Sequence, residues 1–202
     1  MTTMTHKEVR SELIQNLWHS NPEVRDQSRD ALIAMGQEIV DDLAQVMLGI
    51  NSSRARDVME VLARIKDPRS LEALRCALLS KNAIIGQAAV EALVRFDQNI
   101  AVNQFINALN QVNILVQISI IQAFAQLANR RAIQPLLDLL ATTQSPTLRY
   151  LIIDTLGKLP EKRIMPIITR YLYDEDYQVR KHARMTLHQI LTIVPTPCSE
   201  VD

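Results

Sequence analysis

Asn21-Pro22-Glu23-Val24-Arg25 opens a helix with a capping side chain, a proline and, two residues later, an apolar residue followed by arginine. The same plan returns at Ser145-Pro146-Thr147-Leu148-Arg149 and, with tyrosine in the proline's place, at Asp176-Tyr177-Gln178-Val179-Arg180. Asn, Ser and Asp accept hydrogen bonds from the free N–H groups of a first helical turn, and a proline there forfeits none. Eight residues beyond the apolar position of each stretch stands Leu32, Leu156 or Leu187, and matching anchors occur at Leu62, Leu93 and Phe124, giving spacings of 30, 31, 31, 32 and 31 residues. A fixed period of that length marks a stack of identical supersecondary units.

The anchors belong to an apolar stripe at helical spacing. Three residues after them come Met35, Ile65, Phe96, Leu127, Leu159 and Ile190, and one residue before them only small or β-branched residues, from Ala31 to Thr186. Between the anchor helices lie second helices with stripes of their own, such as Leu71, Leu74 and Leu78, or Val102, Phe105 and Leu109. Each unit is therefore a helix pair. Asp67-Pro68 gives another capped start, whereas Gly36 and Pro160 stand where helices should end. Thr5 and Glu8 have the spacing of a capping box for an N-terminal helix over about residues 6 to 19, laying Val9, Leu13 and Leu17 on the first repeat. The sequence thus predicts an all-α fold, a right-handed α-solenoid with an N-terminal capping helix, forming one domain over 1–194 and a disordered tail over 195–202.

Composition narrows the function. With 22 basic and 22 acidic side chains the chain carries no formal net charge, and it lacks the cation surplus that nucleic-acid binding draws on. No apolar run is long enough to span a bilayer, and the N-terminus has no hydrophobic signal core. Two distant cysteines, Cys76 and Cys198, suit a reduced, cytosolic protein without a disulfide; Cys76 is expected in the core or half-buried. The four glycines support no phosphate loop, and His182 and His188, six apart on a helix, make no metal-ligand spacing.

At 100° per residue, positions nine, six and two before each anchor, and two after it, point away from the buried stripe. That face carries acid-base pairs at i and i+4 in three units: Glu60 with Arg64, Glu91 with Arg95, Asp154 with Lys158. In the fourth unit the charges give way to Gln122 and Gln126, and Leu115 and Ile118 take the outward positions, with Ile84 and Tyr150 in the adjoining units. A helix apolar nearly all round must be covered, by a ligand or by a partner protein. The arginines after the turns, Arg25, Arg149 and Arg180, are expected to brace those turns.

Ankyrin and tetratricopeptide signatures are missing, whereas the turns quoted above are similar to HEAT repeats. The period near 31 and units such as Lys66-Asp67-Pro68-Arg69-Ser70-Leu71-Glu72-Ala73-Leu74 resemble the short HEAT-like repeats of the phycobilin lyases, over roughly residues 20 to 190. In length the chain resembles the shorter, F-type subunit of the E/F-type heterodimeric lyases. That resemblance implies a longer E-type repeat partner, a phycobiliprotein α-subunit as acceptor, and phycocyanobilin as substrate, with no cofactor bound covalently. It also implies a cyanobacterial cytoplasmic location beside the thylakoid phycobilisomes. The Cys-His motif of isomerising relatives is not matched, so the resemblance does not extend to isomerisation. Under it, Leu115, Ile118 and Tyr150, with Ile84 and Gln122 beside them, offer a floor for the bilin or a partner interface. Asp154 or Glu91 would accept pyrrole hydrogen bonds or supply a proton, and Arg95, Arg149 or Lys158 would hold the propionates. The competing expectation is a non-catalytic adaptor, a phycobilisome assembly or degradation factor that binds phycobiliproteins through the same face.

Overall fold

The computed structural model describes residues 5–49, 52–159 and 161–193. Pro160 and the segment 195–202 with Cys198, for which the sequence makes predictions, lie outside the described residues. Within them the chain is all-helical: α1 (His6–Asn16), α2 (Pro22–Met35), α3 (Val40–Gly49), α4 (Ser52–Ile65), α5 (Pro68–Leu78), α6 (Ala83–Phe96), α7 (Gln98–Ala108), α8 (Ile114–Leu127), α9 (Ile133–Thr142), α10 (Pro146–Gly157), α11 (Met165–Arg170) and α12 (Tyr177–Ile193). The anchor helices are the even-numbered ones from α2, each but the last followed by a partner helix. This is an α-solenoid of helix pairs, and none of its described helices is long and apolar enough to cross a membrane.

The helix starts follow the capping logic of the sequence. Thr5 and Glu8 form the full capping box, Asn21 Oδ1 accepts the Glu23 N–H at 2.9 Å, and Asp67 Oδ1 accepts that of Arg69 at 2.8 Å. That backbone N–H, helped by the Arg69 side chain, holds the Asp67 carboxyl below the usual carboxylate range. The ends share a device as well. Four residues after the anchors of α2, α4 and α8 the chain turns through positive φ at Gly36, Lys66 and Ala128, the left-handed geometry that closes a helix.

The chain divides into two compact units, residues 1–116 and 117–202. In the first, α4 packs along α2 and α6, and α5 lies against α6. Leu32, Leu62 and Leu93 are fully buried there together with Leu43, Leu74, Leu78 and Phe105. In the second, α10 packs along α12 over Phe124, Leu136, Ile152 and Leu156. Each such side chain contributes about 1.5–3 kcal/mol on burial, several times the worth of a surface ion pair, so these stripes hold the fold.

Three expectations are corrected. The N-terminal helix ends at Asn16, with Leu17 as its C-cap, and it buries Ile14 and Leu17 while Val9 stays exposed. Its successor Trp18 is anchored instead by its indole N–H, which donates to Asp57 Oδ2 at 3.0 Å. Cys76 is exposed, because α5 buries Ser70, Leu74, Ala77 and Leu78 and Cys76 lies about 200° around the helix from Leu74. The last anchor, Leu187, is only half-buried; α12 buries Val179, Ala183, Thr186 and Ile190 instead.

Candidate functional site

The face expected to point outward does so. Two residues after the anchors, Ala34, Arg64, Arg95, Gln126, Lys158 and Gln189 are all exposed, and two before them Asp30, Glu91, Gln122 and Met185 are exposed while Glu60 and Asp154 are half-buried.

In the first unit the charges on this face form a ladder between helices. Glu60 meets Arg64 within α4 at 2.8 Å, as the spacing predicts. Glu91 and Arg95 do not meet each other. Arg56 reaches from α4 to Glu91 at 2.6 Å, and Arg95 reaches back from α6 to Glu60 at 3.1 Å. Ala88 and Ala92 floor the shallow depression between the two helices, and their small size lets the charged chains lean across it. The same unit also exposes large apolar side chains: Ile84, Ile114 and Leu115 are 54%, 46% and 49% exposed. The N-termini of α6 and α8 that carry them are in contact, since a Cβ placed on Gly86 would meet Val116 Cγ2 at 2.5 Å.

In the second unit the predicted residues gather on α8 and α10. Gln122 is exposed and Ile118 half-buried on α8. On α10, Asp154 stands 3.3 Å from Lys158 Nζ and 3.6 Å from Nδ1 of His182 on α12. Tyr150 stacks on the His182 ring, with centroids 5.0 Å apart and planes 26° from parallel. His182 Nδ1 is buried without a hydrogen-bond partner. A carboxylate, an imidazole, a phenol and an ammonium thus share one face of α10 and α12, a set able to accept N–H donors, take an acidic substituent and pass a proton. Arg149 is drawn away from this group to Asp174 at 3.4 Å, where both side chains are largely buried. Arg25 and Arg180 brace their turns as expected: Arg25 donates to the carbonyls of His19 and Ser20, and Arg180 to those of Asp174 and Glu175.

Sequence reasoning missed Arg56 and His182. Both stand five or six residues before an anchor, and the usable signal was that a residue two before one anchor faces a neighbouring repeat as well as its own helix. It also missed a cavity of about 280 Å³ between α1 and α3, lined by Arg10, Ile14, Trp18, Asp42 and Val46 among others. Arg10 there is tied to Glu38 at 3.0 Å and to Asp42 at 3.5 Å.

Comparison with known proteins agrees with the repeat architecture. The HEAT-repeat family profile matches residues 102–188. No curated protein sequence matches the chain. Among solved structures it is similar to human deoxyhypusine hydroxylase in complex with glycerol (TM-score 0.53, 19% identity, 91% of this chain and 74% of that one). It is also similar to the complex of CpcE and CpcF of phycocyanin lyase from Nostoc sp. (TM-score 0.51, 18% identity, 95% of this chain and 67% of that one). An engineered protein is similar at a TM-score of 0.51 and 18% identity, over 94% of this chain and all of its own. At these identities the likeness is one of fold.

Proposed function

We propose that this chain is the shorter, F-type subunit of a heterodimeric bilin lyase, orienting phycocyanobilin so that a cysteine of a phycobiliprotein α-subunit adds to it. The observation that carries this reading is the group of Ile84, Ile114 and Leu115, large apolar side chains each about half exposed, the kind of surface a partner covers. In this reading the longer E-type subunit covers them, and the Tyr150, Asp154, Lys158 and His182 group receives the bilin. The likeness of fold to the complex of CpcE and CpcF supports it. Bilin is substrate, not a covalently held group of this chain. The acceptor's thiolate forms a C–S bond to the ethylidene carbon of ring A, the double-bond electron pair moves to the neighbouring ring carbon, and that carbon takes a proton. Holding the tetrapyrrole in position carries most of such a reaction. Asp154 accepts pyrrole N–H donors, Lys158 pairs with a propionate, and Tyr150 packs on the macrocycle. The reading locates the protein in cyanobacterial cytoplasm, beside the phycobilisomes.

A second reading, a non-catalytic adaptor for phycobiliproteins, is favoured by one feature: Glu91, a candidate acid, is held by Arg56 at 2.6 Å. Co-expression of this chain with a longer repeat partner, a bilin source and an acceptor α-subunit separates the two. Covalent, zinc-fluorescent acceptor should appear only when this chain is present. Leu115→Asp should abolish co-purification of the partner, whereas Asp154→Asn should spare co-purification and slow bilin transfer by about tenfold or more. Equal labelling without this chain sinks the lyase reading and leaves the adaptor.

A further inference from the structure

The anchor helices stack through the positions seven and three residues before the anchor and one after it. In α4 these are Ala55, Met59 and Ala63, all buried; in α10 they are Arg149, half-buried against Asp174, and the buried Ile153 and Gly157. α2 carries Arg25 and Arg29 at this register, but both are half-buried and engaged, Arg25 on turn carbonyls and Arg29 on Asp26 at 2.6 Å. α12 breaks the rule. Its residues at these positions are Arg180, Arg184 and His188, of which Arg184 and His188 are exposed.

The surrounding chemistry is one-sided. Between Tyr177 and Ile193 there is no Asp or Glu, while Arg180, Lys181 and Arg184 give the helix three positive charges in a chain whose formal net charge is zero. Arg180 is spent on the turn, and its guanidinium lies 5.9 Å from the Tyr177 ring centroid. Lys181 and Arg184 are exposed, and neither makes an ion pair among the described residues. The carboxylates around this helix are in use or turned to its start: Asp154 faces Lys158 and His182, Asp174 faces Arg149, and Asp176 accepts the N–H groups of Gln178 and Val179. At that turn Glu175 is exposed and makes no ion pair among the described residues. Interleaved with these cations, Tyr177, Met185 and Leu191 are 63%, 55% and 56% exposed. A depression of about 360 Å³ is framed by Tyr177, Arg180, Lys181, Arg184 and Met185.

From this we infer that the exposed face of α12 is a docking surface for an acidic segment of another protein, its carboxylates meeting Lys181 and Arg184 and an apolar side chain seated between Tyr177 and Met185. The mixture decides the occupant. A helix that lies on a membrane separates its apolar face from its cations, whereas here the two alternate along one stripe. A nucleic acid gains affinity from many neutralised phosphates, and this face has two uncommitted cations. An acidic protein segment needs only a few such charges for steering and register, with the apolar contact supplying the rest. The inference stands independently of the lyase reading.

The test is fluorescence anisotropy of the full chain with a fluorescein-labelled peptide of glutamates around a central leucine. Alongside it run the same peptide with glutamine for glutamate, phosphatidylserine-containing vesicles and oligothymidylate. The acidic peptide should bind best, weaken as salt rises and lose about tenfold in affinity to the Lys181→Glu/Arg184→Glu double variant. Both positions are exposed, so unchanged helicity and melting temperature check that the variant is folded; a Met185→Ala variant that folds and binds more weakly gives a second, uncharged readout. Equal binding of the glutamine peptide, undiminished binding by the folded double variant, or tighter binding of vesicles or oligothymidylate overturns the inference.

Discussion

Arg56 of α4 donates to Glu91 of α6 at 2.6 Å, and this contact takes Glu91 away from Arg95, its partner one helical turn on. Helical spacing makes Glu91 and Arg95 neighbours, but the small Ala88 and Ala92 between the helices bring a second cation within equal reach. Both partners of the observed pair are about half exposed, so water screens the gain. A double-mutant cycle on Arg56→Ala and Glu91→Ala should give a coupling of about 0.5 kcal/mol by urea unfolding. The same cycle on Glu91 and Arg95 should give none. A reversed order would return the pairing to within α6.

Gly86 sits inside α6, where alanine ordinarily stabilises a helix by about 1 kcal/mol. Here a Cβ would meet Val116 Cγ2 at 2.5 Å, and Val116 is fully buried with a stiff, β-branched side chain. Overpacking of this kind costs about 1–3 kcal/mol, so the clash outweighs the propensity gain. Gly86→Ala should lower the unfolding free energy, and adding Val116→Ala should recover part of the loss beyond what the two changes predict separately. A stabilised single variant would show that the helices separate freely at this point.

Ala128 ends α8 at φ +47°, and Lys66 follows α4 at φ +58°. The Cβ of an L-residue costs about 1–2 kcal/mol in that conformation, partly offset by the greater freedom glycine has when unfolded. Gly36, at the corresponding place after α2, carries no such penalty. Ala128→Gly should therefore stabilise the chain by about 0.5–1 kcal/mol, read as a higher urea midpoint with unchanged slope. A lower midpoint would mean that the methyl group makes a contact worth more than the backbone strain.

The anchors, the capped helix starts and the outward face were legible because each follows from a single helix's period and from local hydrogen-bond chemistry. Leu32, Leu62, Leu93, Phe124 and Leu156 are fully buried, and the residues two after each are exposed. What escaped depends on how one helix is set against the next. The Arg56–Glu91 contact, the approach of His182 to Asp154 and the diversion of Arg149 to Asp174 all join different repeats. Their formation turns on side-chain reach across an interhelical gap, which spacing along one helix does not encode. The exposure of Cys76 was readable in principle, since Leu74 and Leu78 already fix the buried side of α5; expecting the thiol in the core or half-buried set residue type above position.

Trp18 and Asp57 allow a test with a sign. Burial pushes the Asp57 carboxyl above the usual range, and the indole N–H of Trp18, 3.0 Å away, and then Arg29 pull it partly back. Below the ordinary carboxylate range, folded and unfolded chains both keep the proton. As pH rises through that range the unfolded chain releases it first, so the stability contributed by this group falls until the raised folded value has been passed. Asp57→Asn keeps an acceptor for the indole and removes the ionisation. Its stability relative to the parent chain should therefore climb as pH rises through the ordinary carboxylate range, and level off once the raised folded value is passed, in a urea-unfolding series. Asp57→Leu, which strands the indole N–H, should cost about 1 kcal/mol even at the acid end. An Asn variant whose advantage is flat or shrinks as pH rises would show that Trp18 and the nearby arginines, and not burial, govern this carboxyl.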